Sequence, residues 1–393
     1  MSLSKTMGGI LLIIGTSIGG GMLALPVATS AAGMFNSLIF LVGCWFVMTA
    51  GALLMLEVNV SLPAGSNIIS MAKSTMGLPG QIIAWICYLV LLYALLSAYI
   101  SGGSDVLGGL LDNIHLHLPT PVTTLLFTGC FSLIVYAGIR TVDYVNRTLM
   151  FGKLGIYLLL ILIISPHIDI SKLNGGAWRA ITGSLMILIT SFGFASIVPS
   201  LRAYFDEDIK TLRKVIVIGS FIPLICYILW NAVIMGVVEQ HQLTSIANSE
   251  HAISGLTQAL DAAIHSPQLM RFFELFTSIC MLTAFLAVSL GLFDFLADGL
   301  HLKKGGKEGI LTLLLTFAPP LLIVLIYPGI YLYALSYAGI CCVILLLLLP
   351  TFMAYKNRTI SSVKHAHFIP GGHASLIVLG ITGIMLLGLN FIR

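Results

Sequence analysis

Apolar residues in this chain come in long runs, without the narrow stripe of a soluble helix or the alternation of a strand. Eleven runs approach the roughly 20 residues that a bilayer core requires: 8–32, 36–60, 81–110, 121–139, 148–166, 180–203, 213–238, 269–300, 309–327, 330–351 and 374–392. Each predicts a membrane-spanning helix. Two of them are interrupted. The first carries Gly15-Thr16-Ser17-Ile18-Gly19-Gly20-Gly21-Met22 in its middle, and the sixth reads Thr190-Ser191-Phe192-Gly193-Phe194-Ala195-Ser196-Ile197-Val198-Pro199-Ser200. Glycine costs about 1 kcal/mol relative to alanine inside a helix, so a plain anchor gains nothing from four of them. In lipid, unwound backbone survives only where it lines a cavity or is buried in protein.

Each break has a plainer reading: glycines let helices pack closely, and a proline kinks. Their corresponding positions, five spans apart, favour a different one. Two five-helix repeats are expected, about 8–166 and 180–351, with an extra helix at about 374–392. An odd number of helices per repeat makes the second inverted relative to the first, as in secondary transporters whose broken helices build a midplane site. The whole chain, 1–393, is then one all-α polytopic transmembrane domain of about eleven helices.

Composition agrees. Of 393 residues, 58% are hydrophobic and 9% charged, against about 25% charged in soluble domains. The net charge of +4 reflects topology. With the N-terminus inside, fifteen cationic residues fall on the inner face: Lys5, Lys73, Arg140, Arg147, Lys153, Arg202, Lys210, Arg213, Lys214, Lys303, Lys304, Lys307, Lys356, Arg358 and Lys364. Lys172, Arg179, Arg271 and Arg393 fall outside. This positive-inside bias predicts a cytoplasmic N-terminus and a periplasmic C-terminus, and gives no reason to expect a nucleic-acid partner. No cleavable signal peptide is expected, because Leu25-Pro26 runs on without a small-x-small cleavage site. The seven cysteines (Cys44, Cys87, Cys130, Cys226, Cys280, Cys341 and Cys342) all fall in spans and read as small core residues. Sequons at Asn59, Asn146 and Asn357 map to the inner face and carry no glycan reading. The segment from Glu239 to Pro267 has helical stretches suited to folding over the outer mouth.

The chain resembles, end to end, the hydroxy and aromatic amino acid permeases of bacteria, within the amino acid–polyamine–cation superfamily with the leucine-transporter fold. The stretches that carry the likeness are Gly15 to Pro26, Ser191-Phe192-Gly193-Phe194, Val198-Pro199-Ser200, Gly291 to Asp298, Thr316-Phe317-Ala318-Pro319-Pro320, Tyr337-Ala338-Gly339 and Pro370-Gly371-Gly372. It looks most like the tyrosine permeases, then the tryptophan permeases. It departs at Gly20, where the family often has a small residue such as alanine. The resemblance implies proton-coupled uptake of an aromatic amino acid, L-tyrosine foremost, across the inner membrane, with no cofactor beyond the proton and the lipid bilayer as surroundings.

A zwitterion in a membrane must have both ends met. Backbone N–H groups of Gly19, Gly20 and Gly21, at the start of the outer half-helix, suit the carboxylate. Carbonyls near Thr16, Ser17 and Ser191 suit the ammonium. Phe194, with Phe192 beside the second break, either covers an aromatic ring or packs a helix. Tyr93, Ser97, Ser101 and Asp105 share one face of span three, which lines a cavity or bonds a neighbouring helix; Tyr99 lies off that stripe. Tyr331, Tyr333 and Tyr337 in span ten are pathway residues or interface anchors. Intramembrane ionisable groups are functional hypotheses by default. Lys153, about one turn into span five, either snorkels or reaches the first break. In sodium-coupled relatives a cation links spans one and eight; an ammonium replacing it would touch the Ile18 carbonyl and Ser289. Asp294 and Asp298 either pair with loop cations or relay protons, and Glu57 presents the same choice.

Gly15-Thr16-Ser17-Ile18-Gly19 also fits G-x-S-x-G, but no histidine lies deep in a span to partner the serine. Gly19-x-Gly21-x-x-Ala24 has no soluble βαβ unit around it. No metal-ligand cluster is present. The reading is therefore a transporter, not an enzyme. Its rivals are a tryptophan or serine/threonine permease and, from other classes, a channel or an intramembrane enzyme.

Overall fold

In a computed structural model, which describes residues 3–206, 208–360 and 367–391, the first apolar run folds as two helices, α1 (Leu3–Ser17) and α2 (Gly20–Thr29). Lys364 and Arg393, both counted in the charge asymmetry, lie outside the described residues. The chain continues through α3 (Gly33–Val60), α4 (Ile68–Asp112), α5 (Thr120–Tyr136) and α6 (Ile139–Ile164). The second interrupted run is α7 (Leu185–Ser191), a 3₁₀ segment (Gly193–Ile197) and α8 (Val198–Tyr204). After it come α9 (Ile209–Met235), α10 (Gln240–Ala247), α11 (Ala252–Ile264), α12 (Pro267–Gly299), α13 (Gly306–Ile326), α14 (Tyr331–Cys342), α15 (Leu349–Ile360) and α16 (Gly372–Phe391). Among the described residues, nine helical stretches are long and apolar enough to cross a membrane, and Lys5–Ser17 and Thr120–Tyr136 are shorter apolar helices. This is an all-helical membrane protein with about nine to eleven spans.

Local chemistry sets the boundaries. Asn67 and Ser70 form a reciprocal capping box that starts α4; Asp208 caps α9 and Ser266 caps α12. Gly77 takes φ +73 two residues before Pro79 and bends α4 near its start, a left-handed conformation that costs glycine little. The bend explains why the expected span began only at 81.

Two expected limits move. The fifth span starts at Ile139, so Lys153 stands near the middle of a 26-residue helix and not one turn from its end. The charged stretch before 148 was expected to be loop, but it continues the helix. The tenth span runs from α14 through a π-helical segment, Val343–Leu348, into α15. Opposite this widened turn, a Cβ on Gly51 of α3 would sit 2.2 Å from the Leu346 carbonyl oxygen. In the same way, a Cβ on Gly339 of α14 would sit 2.1 Å from the Met186 carbonyl oxygen of α7. Backbone thus packs on backbone beside the second break. The helices α4, α12 and α14 form the frame: α4 lies against both α12 and α14, α12 against α6, and α14 against α7.

Candidate functional site

The site starts from backbone. α1 makes its last turn with Ile18 N–H donating to Ile14 O at 2.8 Å. Gly19 is fully extended (φ −163, ψ −148), and no side chain hydrogen bond caps α2. Breaking a helix frees carbonyls on one side and N–H groups on the other. Here three helices bring donors to the carbonyls. Tyr227 Oη on α9 donates to Ser17 O at 2.6 Å. Lys153 Nζ on α6 donates to Ile18 O at 2.5 Å. Tyr331 Oη on α14 donates to Gly20 O at 2.5 Å. Gly19 O accepts from Met22 N–H at 3.1 Å.

The second break lies alongside. Tyr227 Oη is also 2.7 Å from Ser191 O, and a Cβ on Gly21 would be in van der Waals contact with Ser191. Phe192 meets the Tyr227 ring edge-on, centroids 5.1 Å apart. Ser17, Ser191, Phe192 and Phe194 are all buried, as are Gly20 and Gly21. The first glycine of α2 is needed for close approach: a Cβ on Gly20 would lie 2.6 Å from the Tyr99 ring. Met281 and Ala284 of α12 complete that wall.

Among the expected site residues, Ser17, Ile18, Gly19, Gly20, Gly21, Ser191, Phe192 and Lys153 come together here. Others do not. Thr16 Oγ1 turns back to Ile13 O and Leu12 O of its own helix. Ser289 Oγ likewise bonds Phe285 O of α12 at 2.6 Å, so its hydroxyl is engaged within its own turn. Tyr93 Oη donates to Leu315 O of α13 at 2.7 Å, Ser97 Oγ to Tyr93 O, and Ser101 Oγ to Pro328 O at 2.6 Å. That stripe therefore joins α4 to neighbouring chain, and the α4 residue against Gly20 is Tyr99. Asp294, expected at the coupling site, pairs with Lys304 at 2.6 Å, with Asp298 3.5 Å from the same ammonium. Tyr333 and Tyr337 are exposed, whereas Tyr331 is buried.

Sequence reading missed Tyr227 and gave Tyr331 no special place. A lone tyrosine inside an apolar run was the available signal, because a buried phenol needs a partner for its hydroxyl.

Both approaches to the breaks are covered. On one side α1 meets the end of α8: Lys5 pairs with Asp206 and lies over the Tyr204 ring, and Gly8 and Gly9 make room for Tyr204 and Phe205. On the other, α10 and α11 cover the far end of α2, and Ile253 of α11 reaches Gly102 beside Met281. Asp105 holds the first turn of α11, accepting from Ile253 N, Ser254 N, Ser254 Oγ and His251 Nδ1. Clefts of about 750 and 640 Å³ flank that helix.

The Asp105 contact also raises the pKa of His251, by the hydrogen bond first and then by charge; partial burial opposes it, and Glu250 and Asp112 add to it. A raised value means that the contact's contribution is fully present below the ordinary histidine value and is lost as pH climbs through the raised one. Amides of the first turn of α11 should therefore show higher hydrogen-exchange protection factors at acidic than at alkaline pH. Asp105→Asn should lower protection at every pH and flatten the difference; a pH difference that persists in the variant would count against this account.

These geometries define an all-helical membrane protein in which two broken helices meet. A crystal structure of a mutant manganese transporter from Eremococcus coleocola aligns with 99% of this chain and 86% of its own, with a TM-score of 0.66 at 15% identity. That match places the fold in the leucine-transporter group. The model of the tryptophan/tyrosine permease family matches residues 3–389, and the chain belongs to that family. It is a permease and not an enzyme. The Tyrosine-specific transport system 1 of Haemophilus influenzae is 33% identical over 99% of this chain and 97% of its own. The Tryptophan-specific transport protein of Pseudomonas aeruginosa is 30% identical over 90% and 86%.

Proposed function

We propose that this chain is a proton-coupled symporter that imports an aromatic amino acid, tyrosine preferred, across a bacterial inner membrane by alternating access. The observation that carries the reading is the meeting of the two helix breaks at Ser17–Gly21 and Ser191–Phe192, with a buried ammonium, Lys153, on the Ile18 carbonyl. The N–H groups that open α2 suit a carboxylate. The Ser17 and Ser191 carbonyls suit an ammonium. Tyr99, Phe192 and Phe194 offer ring surface for an aromatic side chain. Lys153 is the proton carrier in this reading. The expected inverted repeats, 8–166 and 180–351, let the spans that contain the breaks rock against the α4–α12–α14 frame. The N-terminus is cytoplasmic and the C-terminus periplasmic.

Tyrosine-specific and tryptophan-specific relatives support the aromatic class and leave two candidates for the preferred cargo. The test is uptake of radiolabelled tyrosine into proteoliposomes under an imposed inward proton gradient, competed by unlabelled tryptophan, phenylalanine and serine. Accumulation that collapses with a protonophore and is competed best by tyrosine is the expected result. Best competition by tryptophan moves the preference there, and absence of gradient-driven accumulation overturns proton coupling.

A further inference from the structure

Tyr227 stands out because its hydroxyl serves two acceptors. Ser17 O and Ser191 O, on different broken helices, lie 2.6 and 2.7 Å from it. A phenol has a single hydrogen to donate. Only one of the two contacts is a full hydrogen bond at a time, and the other brings two oxygens together without a proton of their own. Whichever oxygen is left without the proton is a buried acceptor short of a donor. A buried polar atom left in that condition is costly. Two carbonyl oxygens from two helices thus share one phenolic proton.

The other carbonyls around the first break already have donors. Ile18 O has the Lys153 ammonium, and Gly20 O has the Tyr331 hydroxyl. Ser17 O and Ser191 O are the pair left for a better donor than the phenol. A primary ammonium has three N–H groups and forms stronger, charge-assisted bonds. A carboxylate or an apolar ring has nothing to offer these oxygens.

We infer that the Tyr227 hydroxyl is a strap joining the two helix breaks, and that the ammonium of an amino-acid cargo displaces it. Tyr227 is a positioning residue whose hydroxyl competes with the cargo: it holds the breaks together between cargoes and so weakens binding. The inference rests on the reading of the breaks as an amino-acid site.

The two kinds of role predict opposite signs. A tyrosine that merely contacts the cargo or braces the fold weakens binding when its hydroxyl is removed. A strap strengthens it, because Tyr227→Phe leaves two buried acceptors that the ammonium then satisfies. Equilibrium binding of radiolabelled tyrosine to purified full-length protein in detergent should tighten about tenfold or more in Tyr227→Phe. Net uptake in proteoliposomes should slow, since release now orphans both carbonyls. The tightening should be absent for 3-(4-hydroxyphenyl)propanoate, which lacks the ammonium. Unchanged or weaker tyrosine binding in the variant overturns the strap, as does equal tightening for the acid without an ammonium. If the variant is not monodisperse when purified alone, saturating tyrosine should rescue it, and failure to rescue also overturns the strap. A wild-type protein that binds no aromatic amino acid would instead refute the reading of the site.

Discussion

Lys153→Ala should abolish concentrative, proton-driven uptake while leaving part of the tyrosine counter-exchange. The side chain is 2% exposed, near the middle of α6, and its ammonium donates to Ile18 O at the first break. Ionisable groups inside the membrane are costly and mark ion or proton pathways. In this place the amine is in direct contact with the backbone of the broken helix. In the proposed role, the protonated amine holds the carbonyl firmly and the neutral amine would hold it less well, which would link proton release to movement of α1. A proton crossing 100 mV supplies about 2.3 kcal/mol, enough for roughly a 50-fold concentration ratio. The variant should lose that ratio and equilibrate tyrosine near unity. Exchange of labelled for unlabelled tyrosine needs no net proton movement and should persist in part. Full gradient-driven accumulation by Lys153→Ala would remove Lys153 from the coupling role.

Glu57→Ala should destabilise the fold on the order of 3–5 kcal/mol. The Glu57 carboxylate accepts from Arg358 Nε at 2.6 Å and Nη2 at 2.8 Å, and from Phe368 N at 2.9 Å. Arg358 Nη1 continues to Gly372 O at 2.7 Å. The two side chains are 4% and 3% exposed. This network ties α3 to α15 and to the start of α16, which answers whether Glu57 pairs or relays: it pairs. Truncating the acid leaves a guanidinium buried without its counter-charge. Replacing both partners by apolar residues of similar volume removes that penalty, so the double variant Glu57→Leu/Arg358→Met should be more stable than Glu57→Ala. Thermal unfolding of purified protein in detergent checks both statements. A Glu57→Ala melting temperature equal to wild type would show that the pair contributes little.

Much of the fold was legible because membrane depth leaves few choices. A chain with runs of apolar residues this long must satisfy its backbone internally, and helices do that within each run. The two breaks were legible for the same reason: glycines in one run and Gly193 with Pro199 in another mark where backbone groups are set free. The Lys153 contact was one of two open alternatives, snorkelling or reaching the first break, and the structure puts the ammonium on Ile18 O from mid-helix. Span limits were less clear where polarity misled, as in the charged first turns of α6 and the bend at Gly77.

The α4 stripe shows where legibility ended. Tyr93, Ser97, Ser101 and Asp105 share a face because of helical periodicity, but periodicity does not say which neighbour that face meets. The answers were α13, the α4 helix itself, the chain before α14, and the first turn of α11. Tyr99, set aside because it lay off the stripe, packs against Gly20. Tyr227 was a single tyrosine in an apolar helix and Tyr331 one of three in span ten, and neither could be told in one dimension from interface anchors such as Tyr333 and Tyr337.

The sequence by itself determined that the chain is a helical membrane protein, where its helices break, and which residue types could serve an amino acid there. Those properties follow from composition, length and local backbone preference, which each segment carries alone. The tertiary structure decided which donors meet the freed carbonyls and which polar side chains are spent on packing. Residues 17, 153, 191, 227 and 331 are far apart in the chain, and only the packing of α1, α6, α7, α9 and α14 brings their hydrogen bonds within reach of one another.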